Sequence, residues 1–163
     1  MQRLLLAFIV SMFFSVLPGP PFGATTSDLM DARSRMLAGA DAIDCGTVKV
    51  KQDPTNATNC ALKAFGNKRP FYVRYYVHGI DSEIAGGLAY DKKGNMSALE
   101  FDSMGWSAKG LGKDSRLVDG RHIIIEPCPR PIALHKTHRG RLTCFSPDPT
   151  ARPNLMSPGG ELW

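Results

Sequence analysis

Phe71-Tyr-Val-Arg-Tyr-Tyr-Val77 is the stretch on which the fold turns. It is β-branched or aromatic at all but one position, the signature of a strand lying on a pleated, half-buried surface. Side chains alternate faces along a strand. Phe71, Val73, Tyr75 and Val77 therefore form an apolar face, and Tyr72, Arg74, Tyr76 and His78 a half-polar one.

Downstream, Glu83 to Tyr90 reads as a weaker strand softened by Gly86-Gly87. Asp91-Lys92-Lys93-Gly94 supplies a hairpin turn. The chain returns through Met96 to Phe101, with Met96, Ala98 and Glu100 opposite Leu99 and Phe101. Asp102 to Gly120 is rich in glycine and serine and reads as a long loop. His122 to Glu126 (HIIIE) is a continuous apolar strand with both faces covered. Ile132 to Leu134 and Arg141 to Phe145 complete the strand set.

Upstream, Thr55 to Phe65 (TNATNCALKAF) places Ala57, Cys60, Ala61, Ala64 and Phe65 at helical spacing, and Gly66-Asn67 ends the helix. Asp53-Pro54 marks its start. The expected fold is α+β: one short helix packed on an antiparallel sheet of four to five strands. Its core comprises Phe65, Phe71, Val73, Tyr75, Val77, Leu88, Leu99, Phe101, Ile123, Ile125 and Leu142.

The ends set the compartment. Arg3 is the only charge before the apolar run Leu4 to Leu17, which Pro18-Gly-Pro-Pro21 breaks. The run is shorter than the roughly 20 residues of a membrane-spanning helix. It reads as a signal peptide over residues 1–24, with membrane contact through that segment alone. Residues 25–42 form a lead-in helix or a spacer, 43–146 a single α+β domain, and 147–163, with its four prolines, a disordered tail. The expected localisation is secreted or periplasmic.

Export places Cys45, Cys60, Cys128 and Cys144 where thiols oxidise. Four cysteines allow three pairings. The local one, Cys45–Cys60 and Cys128–Cys144, closes loops of about 15 residues, each worth roughly 3 kcal/mol in the chain-entropy model. A crossed pairing is the alternative. A zinc site at Cys128-x6-His135-x2-His138-x5-Cys144 is disfavoured because no close cysteine pair occurs. No metal and no cofactor are expected.

Catalytic signals are weak. His78, Asp81 and Ser82 sit within one turn, where a triad rarely aligns, and no Gly-x-Ser-x-Gly elbow occurs. His122 and Glu126 share a strand face and are the remaining acid/base candidates. Gly105 to Lys113 (GWSAKGLGK) departs from the phosphate-loop pattern at Leu111. Asn56-Ala-Thr58 and Asn95-Met-Ser97 match the glycosylation acceptor pattern.

Charge is more informative. The net charge is +5, and no acid lies between Glu126 and Asp148. That segment carries Arg130, Lys136, Arg139 and Arg141. With Tyr72, Arg74 and Tyr76 these make the candidate binding residues. The expected function is a binding module for a protein or a polyanionic envelope component, held by charge. No nucleic-acid signature accompanies the basic segment, so no specific nucleic acid is expected. The alternatives are a small secreted hydrolase using the His, Asp and Glu residues above, or an envelope protein that binds polyanions.

Overall fold

The computed structural model describes residues 26–79, 81–107, 111 and 113–146. The signal-peptide reading of residues 1–24 and the tail reading of 147–163 lie outside the described residues. The fold is α+β: two helices pack on a mixed six-stranded sheet, beside a separate two-stranded one.

The elements in chain order are α1 (Thr26–Ala38), β1 (Ile43–Val48), α2 (Thr55–Gly66), β2 (Phe71–His78), β3 (Glu83–Tyr90), β4 (Met96–Asp102), β5 (Arg116–Val118), β6 (Ile123–Pro127), β7 (His135–Lys136) and β8 (Leu142–Thr143). The large sheet runs β1-β2-β3-β4-β6-β5, and β7 pairs with β8. It is thus larger than four or five strands, and it is not wholly antiparallel. β1 runs parallel to β2. The cause is topological: α2 lies between the two strands, and a helical crossover returns the chain in the same direction. β5 adds a short edge strand where the sequence suggests only loop, because Leu117 and Val118 register against Ile124 and Ile123. The pairing expected at Ile132 to Leu134 falls instead at His135–Lys136, opposite Leu142 and Thr143.

The two faces of the large sheet bury separate cores. Phe71, Val73, Tyr75, Leu88, Met96 and Ala98 face α2, and Leu142, Cys144 and Phe145 close that core from the far side. Phe65 and Val77 are half-buried, unlike the rest of the expected core. Phe65 lies edge-on to Tyr90, with ring centroids 5.4 Å apart.

On the opposite face Tyr72, Ala85, Ala89, Leu99, Phe101, Ile123 and Ile125 pack under α1. Beneath α1, β3 presents Ala85, Gly87 and Ala89, so the helix approaches closely. The helix answers with Met30, Ser34 and Ala38, all buried at a spacing of four. A Cβ on Gly87 would lie 2.7 Å from the Val73 carbonyl oxygen and 3.6 Å from Met30 Cε. The lead-in is a helix: α1 over Thr26–Ala38 packs on β2, β3 and β4.

Both disulfides follow the local pairing. Cys45–Cys60 ties β1 to α2, and Cys128–Cys144 ties the end of β6 to the end of β8.

Candidate functional site

The half-polar face of β2 is not an open surface. Tyr72 is 3 % exposed and Arg74 5 % exposed beneath α1, and Tyr76 is half-buried there. Tyr72 and Arg74, named as candidate binding residues, are thus covered by the lead-in helix and not presented to solvent.

A guanidinium removed from water needs counter-charge. Arg74 finds it in Asp31 of α1 and Asp44 of β1; its Nη2 lies 2.7 Å from Asp44 Oδ1, and its Nη1 pairs with Asp31. The Tyr72 ring lies 4.9 Å from the Arg74 guanidinium and 5.9 Å from that of Arg35. Arg35 also pairs with Asp31, at 2.8 Å. Burial pushes the Tyr72 hydroxyl above its ordinary value, and the Asp44 carboxylate adds to this. Beside this cluster, Arg33 donates Nε to Asp119 at 2.6 Å, joining α1 to the turn before β6. The arrangement is a clamp for α1.

His122 and Glu126 do not converge. They stand four residues apart on one strand, about 13 Å, beyond proton-transfer reach. Glu126 lies beside Ala98 in register. His122 sits at the other end of β6, its Nδ1 3.1 Å from the Asp102 carbonyl oxygen and its ring stacked on Phe101. Asp81 is exposed in the turn between β2 and β3. The side chain of His78 lies outside the described residues. No group of three or more His, Cys, Asp or Glu side chains that could hold a metal occurs among the described residues.

The acid-free segment, by contrast, has a defined shape. It forms the β7–β8 hairpin. The Gly140 amide donates to the Thr137 carbonyl at 2.9 Å, and the Thr137 amide to the Arg141 carbonyl at 2.9 Å. Gly140 has φ +75°, a conformation that favours glycine. His138 and Arg139 occupy the exposed tip, and Lys136 is exposed beside them.

Three attachments hold this hairpin. Cys128–Cys144 fixes its base. Thr58 on α2 donates to the Gly140 carbonyl at 2.8 Å and lies 3.2 Å from the Tyr75 hydroxyl. Arg130, at the start of the segment, donates to Asn95 Oδ1 at 2.8 Å and bridges to the turn between β3 and β4. Asn95 is thus engaged by Arg130 and by Asp91, while Asn56 is exposed on α2.

Arg141 stands apart from its neighbours: it is 9 % exposed. Its guanidinium is pulled below its ordinary value by burial first and by the charge of Arg139 second, with Tyr75 opposing. Sequence reasoning names Arg74 and Arg141 but misses Asp31 and Asp44 as the partners of Arg74, and Thr58 as the anchor of Gly140. Their one sequence signal is an arginine inside a strand, which demands a carboxylate from elsewhere in the chain.

No protein-family model, no curated protein and no solved structure matches this chain.

Proposed function

We propose that the protein is a secreted or periplasmic binding module that engages a polyanionic envelope component through the β7–β8 hairpin and its flanks. One observation carries the reading: the acid-free segment is folded into a hairpin anchored to the sheet, to α2 and to β6, with Lys136, His138 and Arg139 turned outward. A polyanion rewards cations held in fixed register, because their side chains lose little freedom on binding. The disulfides are consistent with an oxidising compartment.

The test is retention of the purified, disulfide-intact protein on immobilised heparin across a salt gradient. The wild type should bind at low salt and elute as salt rises, since exposed charge pairs are screened. The double variant Lys136→Glu/Arg139→Glu should elute earlier with an unchanged melting temperature. Passage of the wild type through the column at low salt would end the reading.

A further inference from the structure

We infer that Arg141 is the recognition point of the hairpin, where its guanidinium receives an oxyanion (a phosphate, sulfate or carboxylate group) carried by the partner. This rests on the polyanion reading above and names the chemical group that reading requires.

Two arginines, Arg74 and Arg141, are buried among the described residues. Arg74 is compensated from within, by Asp31 and Asp44. Arg141 is almost as deeply buried, yet no salt bridge to it occurs among the described residues. Its Nη1 is buried and has no hydrogen-bond partner there. No acid lies within the surrounding segment from Pro127 to Pro147. A buried guanidinium nitrogen with neither a hydrogen-bond partner nor a counter-charge is costly, and an anion brought by a partner would supply both.

The surroundings of Arg141 are built rather than incidental. Its amide donates to Thr137 Oγ1 at 3.2 Å, so the backbone of the arginine is fixed across the turn. Gly140 before it is held by Thr58, and Leu142 after it pairs with Lys136 across the hairpin. The backbone that carries Arg141 is therefore fixed, and the planar fork of its guanidinium suits the oxygens of an oxyanion.

The experiment titrates the disulfide-intact protein with inorganic phosphate, inorganic sulfate and acetate, each against chloride at constant ionic strength. Two readouts are followed: the arginine side-chain Nε–Hε resonances and the melting temperature. At least one of the three anions should shift the Arg141 resonance saturably and raise the melting temperature, and the anion that does so names the group. Arg141→Met should weaken that response roughly ten- to hundredfold, the range of a lost charge-assisted hydrogen bond. In chloride alone this variant should melt no lower than the wild type, because it removes an uncompensated charge. Arg141→Lys, which keeps the charge without the fork, should respond at intermediate strength.

Absence of any response from the wild type would overturn the inference. So would an unchanged response in both Arg141 variants. If heparin retention persists in Arg141→Met while no small anion acts on the wild type, the polyanion reading stands and this one falls. If a small anion binds at Arg141 while the wild type ignores heparin, the reverse holds.

Discussion

Thr58, on the second helix, donates its hydroxyl hydrogen to the carbonyl oxygen of Gly140, 2.8 Å away in the turn of the basic hairpin. That hydrogen is then spent. The 3.2 Å contact between Thr58 and Tyr75 must have the tyrosine as donor. A directional chain thus runs from sheet to helix to hairpin inside a buried site, where each unmade bond costs most. Thr58→Val keeps the shape and breaks both links. It should lower stability by about 1–3 kcal/mol, measured by denaturant unfolding. Hydrogen exchange at the Leu142 amide should speed by more than global unfolding accounts for, since the hairpin loses its hold on α2. Equal acceleration throughout the sheet would show that the hairpin does not move separately.

Asp31 holds α1 to the sheet through Arg74. Replacing it with asparagine leaves a buried arginine with one carboxylate in place of two. The cost should fall at roughly 2–4 kcal/mol, between that of a surface pair and of a fully buried one. Arg33→Ala removes the pair with Asp119 at a more exposed position and should cost about 1 kcal/mol or less. Comparison of the two unfolding free energies tests whether Arg74 is the main fastening. Equal losses would contradict it.

Strands β2, β3 and β4, the central apolar strand β6 and the second helix are legible in the sequence because their signals are local. Alternation marks Phe71 to Val77, Asp91 to Gly94 has turn chemistry, and helical spacing places Ala57, Ala61 and Ala64 inward. The local cysteine pairing was readable for the same reason. The parallel pair was not legible: β1 is short, and the strand signals on either side of it suggest an antiparallel sheet. The cover over Tyr72 and Arg74 was not legible. It depends on α1 fitting a stripe of small residues on β3, and only the assembled sheet sets Ala85, Gly87 and Ala89 in line under Met30 and Ala38. The basic hairpin was visible as charge, whereas its anchoring depends on Thr58, 82 residues away from Gly140.

Gly87 tests that fit. A methyl group there would meet the Val73 carbonyl oxygen at 2.7 Å, too close for contact with backbone, and would also press toward Met30. Gly87→Ala should destabilise by about 1–3 kcal/mol, the usual range for overpacking. Hydrogen exchange should report faster opening of α1 than of α2. Stability equal to the wild type would show that the strand shifts freely to make room.

The two disulfides span 15 and 16 residues in sequence. Similar loops predict similar contributions, about 3 kcal/mol each. Cys45→Ser/Cys60→Ser should therefore lose about as much as Cys128→Ser/Cys144→Ser. Their functional effects should differ. Only the second pair fastens the basic hairpin, so only its loss should shift heparin elution to lower salt at a temperature where both variants remain folded. Equal shifts would mean that the hairpin is held well enough by Thr58 and Tyr75.

Asp91 closes the turn between β3 and β4. Its Oδ1 accepts the amides of Lys93 and Asn95, each at 2.8 Å, and its Oδ2 accepts the Asn95 side chain at 3.0 Å. Burial raises its carboxyl, but the bonds to Asn95 and Lys93 outweigh this and hold it below the usual carboxylate range. A carboxyl with a lowered folded value contributes stability above its unfolded value of about 4, and that contribution disappears as the pH falls through the folded value. Asp91→Asn keeps an acceptor but loses the charge. It should cost about 0.5–1.5 kcal/mol at neutral pH, the range of one net hydrogen bond. The variant and the wild type should then converge as the pH falls below about 4. Urea unfolding at pH 7 and at pH 3 separates the cases. A difference that stays constant between the two would show that the turn depends on the shape of the side chain rather than on its charge.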